Sequence, residues 1–139
     1  MPRPTRKDPP LASGFAEDTR PFLHEDIVRG IEAKRVKQLI DRGVLGEKQV
    51  YRVIPERTFK RRLASRGALK VSEGNAIARY LRVTEMANKI FGNPEFAREW
   101  LSLPNPALKD RIPIELAETD SGARDVEAAL THIAYGDYV

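Results

Sequence analysis

Apolar residues recur along this chain at intervals of three and four, the spacing of helices that bury one stripe and leave the rest to water. After Pro21 the residues 24–30 fit a short helix closed by Gly30 in the left-handed cap conformation. Over 33–42, Val36, Leu39 and Ile40 form a stripe that Gly43 ends. Over 47–54, Val50, Val53 and Ile54 share a face, and Pro55 both stops that helix and opens the next. The following segment, 56–65, is short and sets Phe59 and Leu63 one turn apart among polar positions, with Gly67 closing it.

Ser72 is the expected N-cap of the longest helix, 73–91. There Ala76, Ile77, Tyr80, Leu81, Val83, Ala87, Ile90 and Phe91 cover more than one stripe, which predicts a central helix packed on both sides. Gly92 terminates it, and Asn93-Pro94 restarts the chain as cap and first helical residue, leading through Phe96, Ala97, Trp100 and Leu101. Pro104-Asn105-Pro106 interrupts, a loop runs to Arg111, and Pro113 begins one further turn over 113–117. Thr119, Asp120 and Ser121 offer caps for a last helix with Val126, Ala129, Leu130 and Ile133 at helical spacing, ended by Gly136. Asp137-Tyr138-Val139 is left as a short tail. No period-two run and no internal repeat appears, so the expected fold class is all-α, a compact multi-helix protein.

With 139 residues, 41% of them apolar, the chain has the size of one ordinary domain or of two small ones sharing a core. Residues 1–20 carry Pro2, Pro4, Pro9 and Pro10 and little apolar content, which predicts a flexible arm. The absence of cysteine excludes disulfides and thiolate metal sites together. No apolar run approaches the ~18 residues of a membrane span, and the start lacks the apolar stretch of a secretory signal. A cytoplasmic protein without membrane contact is the expectation.

The net charge of +4 conceals an asymmetry. Between residues 48 and 70 stand eight basic residues (Lys48, Arg52, Arg57, Lys60, Arg61, Arg62, Arg66 and Lys70) against one acid, Glu56. Between residues 92 and 139 stand four bases against nine acids. Halves of opposite sign point to two different partners.

Catalysis finds little to work with. His24 and His132 are isolated, neither has a partner at metal-ligand spacing, and no phosphate-cradling loop or nucleophile elbow appears. The carboxylates fall on helix faces expected to be exposed, where solvation is their ordinary role. No catalytic residue, metal or cofactor is assigned, and the chain is read as a binding protein and not an enzyme.

Binding of DNA has a concrete basis. The segments 47–54 and 56–65 have the lengths of a helix-turn-helix. With Phe59 and Leu63 facing the core, Arg57, Thr58, Lys60, Arg61 and Arg62 point mostly outward, joined by Arg52 from the preceding helix. Guanidinium forks suit guanine edges, and Lys, Arg and Thr suit phosphates. At the other end the lone Trp100 has core packing as its default role. Tyr135, Tyr138 and Val139 either fold back on the body or enter a partner's pocket, and periodicity does not choose between the two.

From about Val50 onward the chain resembles the Xre/MbcA/ParS antitoxin family, partners of RES-domain toxins. The matching stretches run from Ile54-Pro55-Glu56-Arg57-Thr58-Phe59-Lys60-Arg61-Arg62 to Phe91-Gly92-Asn93-Pro94 and Ala97-Arg98-Glu99-Trp100-Leu101. They continue with Pro104-Asn105-Pro106-Ala107-Leu108 and Arg111-Ile112-Pro113-Ile114-Glu115-Leu116, and close with Thr119, Gly122, Val126, Leu130, Ile133 and Gly136. Their order and spacing over about 90 residues carry the resemblance. Lys109 and Arg111 stand in a loop where the family often has glycine.

Beyond the arm that composition predicts over 1–20, the resemblance implies a helix-turn-helix part, placed over 21–70, and a toxin-binding part, placed over 71–139. It implies binding to an NAD-consuming RES toxin at its active site, with Trp100, Asn105, Leu108, Tyr135, Gly136, Asp137, Tyr138 and Val139 as the toxin-binding set. It also implies repression of the protein's own operon by a homodimer on a palindrome, within a hetero-oligomeric complex. Asp137 and the carboxylate of Val139 suit toxin arginines that otherwise hold NAD phosphates. The competing reading is a helix-turn-helix regulator whose C-terminal part serves dimerisation or ligand sensing. A small helical enzyme ranks third for want of a catalytic constellation.

Overall fold

This computed structural model describes residues 22–136, and among them prolines and glycines set off eight α-helices that occupy most of that span. They are α1 (His24–Arg29), α2 (Ala33–Asp41), α3 (Glu47–Val53), α4 (Glu56–Ser65), α5 (Val71–Phe91), α6 (Pro94–Ser102), α7 (Pro113–Leu116) and α8 (Asp120–Tyr135), with a 3₁₀ turn at Pro106–Leu108. Among the described residues there is no strand, only two isolated bridges, Glu32 with Ala68 and Asn105 with Arg111. The all-α expectation holds. The arm expected over 1–20 and the tail residues Asp137, Tyr138 and Val139 lie outside the described residues.

The long helix is central because of its two-sided apolar content. Ile77, Tyr80, Leu81, Val83 and Ala87 of α5 are buried, and α1, α3, α6 and α8 pack around it. One apolar cluster joins Ile27 of α1, Val36 and Leu39 of α2, Val50 of α3 and Phe59 of α4 to Leu101 of α6 and Val126 and Leu130 of α8. Each such side chain contributes about 1.5–3 kcal/mol by leaving water, so the helices are held by what they share and not by their own lengths.

Two differences from the sequence reading have local causes. The long helix begins at Val71, ahead of Ser72, because the carboxylate of Glu73 accepts the backbone N–H of Lys70 at 2.7 Å and fixes the first turn one step earlier. Closure of α4 falls to Arg66, which takes the left-handed conformation at φ 59°, while Gly67 N–H donates to the Arg62 carbonyl. From there Ala33 N–H donates to Gly67 O at 2.9 Å and Leu69 N–H to Ile31 O at 2.7 Å, which ties the start of α2 to the end of α4.

Among the described glycines from Gly30 to Gly122, Gly122 at the α7–α8 corner leaves the least room for a side chain. Thr119 caps α8, its Oγ1 accepting the N–H of Gly122 at 2.9 Å. A Cβ on Gly122 would stand 1.9 Å from the carbonyl oxygen of Leu116, so this position admits only glycine without movement of the backbone. No helix among the described residues is long and apolar enough to cross a membrane.

Candidate nucleic-acid interface and C-terminal binding end

The interface begins with a buried aromatic. Phe59 is fully buried and meets Tyr51 of α3 edge-on, with ring centroids 6.1 Å apart, which locks α4 against α3 across the Ile54-Pro55 break. With Phe59 inward, Arg57, Lys60 and Arg61 are exposed and Thr58 is half-buried. Arg57 and Arg61 make no ion pair among the described residues. Lys60 pairs with Glu56 one turn back at 2.9 Å, and that hydrogen bond raises its pKa. An exposed i,i+4 pair of this kind adds little stability and is easily exchanged for another anion.

The other two cations of the sequence-derived set are engaged inside the molecule. Arg62 does not point outward: only 14% of its side chain is exposed, and its Nη1 donates to Glu73 Oε1 of α5 at 2.6 Å. Burial pushes the Glu73 carboxyl up, but the hydrogen bonds from Arg62 and the Lys70 N–H outweigh it and hold the carboxyl below the usual range. Arg52 donates to the carboxylate of Glu118, at the junction of α7 and α8. Beside it Arg79 of α5 donates to the carbonyls of Ala117 and Glu118 at 3.2 and 2.6 Å, which closes the end of α7. Arg52 and Arg62 therefore join the helix pair to the C-terminal half; Arg62 leaves the outward set, while the half-exposed Arg52 stays at its edge with its guanidinium held by Glu118. A crevice of about 280 Å³ opens between these two ion pairs, where burial raises the pKa of Tyr80. The Tyr80 hydroxyl has no hydrogen-bond partner among the described residues.

At the C-terminal end three of the eight residues expected to touch a partner, Trp100, Asn105 and Leu108, make contacts within the chain. Trp100 is half-buried against Phe91, at 5.7 Å between ring centroids, and Phe91 in turn meets the half-exposed Phe96 edge-on at 4.9 Å. Asn105 Oδ1 accepts the N–H of Ala107 at 2.8 Å, and the Asn105 carbonyl accepts from Leu108 and Asp110. Leu108 is buried in the core, where its side chain anchors the loop. Lys109 and Asp110 both take the left-handed conformation, at φ 57° and 61°, and the loop closes by Asn105 N–H donating to Arg111 O at 3.0 Å.

Exposed apolar surface appears instead on the last turns of α8. Tyr135 is 69% exposed and Ile133, expected in the buried stripe, is 46% exposed, because the core ends at Leu130 and α8 runs on past it. Gly136 follows at φ 77°. Leu103, 52% exposed just after α6, is a further apolar group that periodicity did not single out. Sequence reasoning also missed Glu73 and Glu118. Among the described residues no group of three or more His, Cys, Asp or Glu side chains is placed to hold a metal ion.

Residues 86–136 match the model of the antitoxin Xre/MbcA/ParS C-terminal toxin-binding domain. The chain is 34% identical over 128 residues to the antitoxin Xre of Pseudomonas putida, covering 92% of this chain and 77% of that protein. It is 28% identical over 126 residues to the antitoxin Xre of Photorhabdus laumondii, covering 88% of this chain and 85% of that one. The chain belongs to the Xre/MbcA/ParS family, the antitoxins of toxin-antitoxin systems.

Proposed function

We propose that this antitoxin neutralises a RES-domain, NAD-consuming toxin with its C-terminal end and represses its own operon with the α3–α4 pair. The observation that carries the DNA half is the outward row Arg57, Lys60 and Arg61 over the buried Phe59. Two guanidinium groups without internal partners, on a short helix braced by its neighbour, meet the requirement for a recognition helix. Arg52 and Arg62 act behind it as struts to Glu118 and Glu73. The division of labour falls at the start of α5, with residues 21–70 serving DNA and 71–139 the toxin, while α5 supports both.

The toxin half rests on α8, whose last turn turns Ile133 and Tyr135 to solvent and aims the chain onward through Gly136. The rings of Tyr135 and Tyr138 and the carboxylate of Asp137 match the chemistry of an NAD pocket, which holds flat rings and binds phosphates with arginines. Occupying that pocket blocks the enzyme without any catalysis by the antitoxin. Operator binding uses a homodimer on a palindrome, so two copies of α4 reach successive major grooves.

The test is co-expression of this chain with the protein encoded beside it. A neighbour that is toxic alone, depletes NAD, and becomes harmless in a stable complex with this chain supports the reading. A neighbour without toxicity, with no complex formed, overturns the toxin half and leaves a helix-turn-helix regulator.

A further inference from the structure

The outer side of α6 carries apolar surface that neither the α4 row nor the end of α8 uses. Ala97 and Leu101 turn to the core, while Phe96, Trp100 and Leu103 follow one another at i, i+4 and i+7 as a second stripe. Phe96 and Leu103 are about half exposed, and Trp100 is half-buried. Phe91, from the end of α5, backs the stripe: its ring meets Phe96 edge-on at 4.9 Å and Trp100 at 5.7 Å. Single exposed apolar side chains are ordinary on a surface. Three rings in mutual contact with a leucine one turn on form a patch, and the exposed Glu95, Glu99 and Ser102 flank it.

The place of the patch in the chain says what covers it. Within residues 86–136, the span of the toxin-binding match, the exposed large apolar side chains among the described residues are Phe96, Leu103, Ile133 and Tyr135. Ile133 and Tyr135 belong to the end of α8, and the other two to this stripe. A stable protein interface takes about 20–30 residues a side, with aromatic anchors inside a polar rim. The end of α8 with its short tail is too small for that, so contact with a toxin extends over more of the domain. The stripe is also held in place. After Leu103 the chain enters the loop where Lys109 and Asp110 take the left-handed conformation, pinned by Asn105, and its 3₁₀ turn packs on α8. Backbone kept in a conformation that such residues disfavour is concentrated at functional surfaces, and here it fixes the end of α6 against α8.

We propose that Phe96 and Leu103, backed by Phe91 and Trp100, form a docking face for the toxin, received by an apolar pocket on the toxin. This face is distinct from the end of α8 proposed to enter the active site. The inference rests on the reading of the C-terminal half as toxin-binding, and depends neither on the reaction the toxin performs nor on the tail.

The experiment replaces Phe96, Leu103 or, as the control, Val28 with photoreactive benzoylphenylalanine in the full-length chain, co-expressed with the protein encoded beside it. Val28 is 57% exposed and lies outside the matched span. Irradiation should join the chains altered at 96 and 103 to the toxin and leave the control free. In parallel, Phe96→Ser with Leu103→Ser should weaken the complex at least about thirtyfold by calorimetric titration, the equivalent of one hot-spot side chain at about 2 kcal/mol. The melting temperature of the free chain should stay close to the parent's, because both side chains already face water. A complex that forms without crosslinks from 96 and 103, or with equal crosslinking from position 28, overturns the proposal. So does a serine-substituted chain that binds like the parent. Crosslinks between two copies of this chain would overturn it in favour of self-association. If the unaltered chain forms no complex at all, the toxin reading itself falls and takes this inference with it.

Discussion

The α4 surface and the end of α8 solve opposite problems with the same device, a helix anchored on one side and unsatisfied on the other. On α4 the anchor is Phe59, and what faces water is charge, Arg57 and Arg61. On α8 the anchors are Val126 and Leu130, and what faces water is apolar, Ile133 and Tyr135. Charge in water needs no partner to be stable, and in the proposed function it serves long-range attraction to phosphate. Exposed aromatic surface at a helix end is a cost in the free protein, which in the proposed function a partner's pocket relieves. The two surfaces are joined by ion pairs, Arg62 with Glu73 and Arg52 with Glu118, that use cations of the first region to brace the second.

The largest effect that would separate the regions is expected from Arg57→Ala with Arg61→Ala. Operator affinity should fall about a hundredfold, and the salt dependence should lose about two units of slope, since each phosphate contact contributes about 0.9. A gel-shift series over salt concentration checks this. Unchanged affinity would remove α4 from the DNA, and parallel loss of toxin binding would mean that the helix supports the fold.

Gly122→Ala comes next and strikes only the C-terminal corner. A methyl group 1.9 Å from the Leu116 carbonyl oxygen forces α7 from α8, and overpacking of this kind costs about 1–3 kcal/mol. Denaturant unfolding should show that loss, with toxin binding weakened more than DNA binding. Full stability would mean that the corner yields freely.

Glu73→Gln tests the joint between the regions, with an expected loss of about 1–2 kcal/mol at neutral pH from a weakened charged hydrogen bond. The sign with pH follows from its lowered pKa. A carboxyl depressed in the folded state stabilises above its unfolded pKa, near the ordinary 4.5, and that contribution is lost as pH falls through the lower folded value. The gap between parent and variant should therefore be widest near neutrality and close in acid below pH 4.5, as followed by melting across that range. A gap that is constant with pH would assign the loss to packing.

Smallest of all, Lys60→Ala should lower operator affinity only a few-fold, since the lysine already shares its charge with Glu56.

What the sequence made legible was local. Pro55, Gly92, Asn93-Pro94, Thr119 and Gly136 mark helix ends by their own backbone chemistry, and the structure has ends at each. Phe59 inward and Arg57 and Arg61 outward follow from helical period alone. The rest depends on partners far along the chain. Arg62 turns inward because Glu73 lies 11 residues away on another helix, and Arg52 is engaged by Glu118, 66 residues away. Ile133 fits the apolar period of α8 but stands beyond the last layer of core, and period does not tell where a core stops. Leu108 sits in a loop whose left-handed Lys109 and Asp110 fold it inward, against the ordinary preference of both residues.

The most direct test of two separate surfaces compares two altered chains side by side, Arg57→Ala with Arg61→Ala and a deletion of residues 136–139. Each would be assayed for operator binding and for neutralisation of the co-expressed toxin. The expected result is a clean exchange: the first neutralises and fails on the operator, the second binds the operator and fails to neutralise. Full neutralisation by the deleted chain, or loss of both activities in either one, would contradict the division.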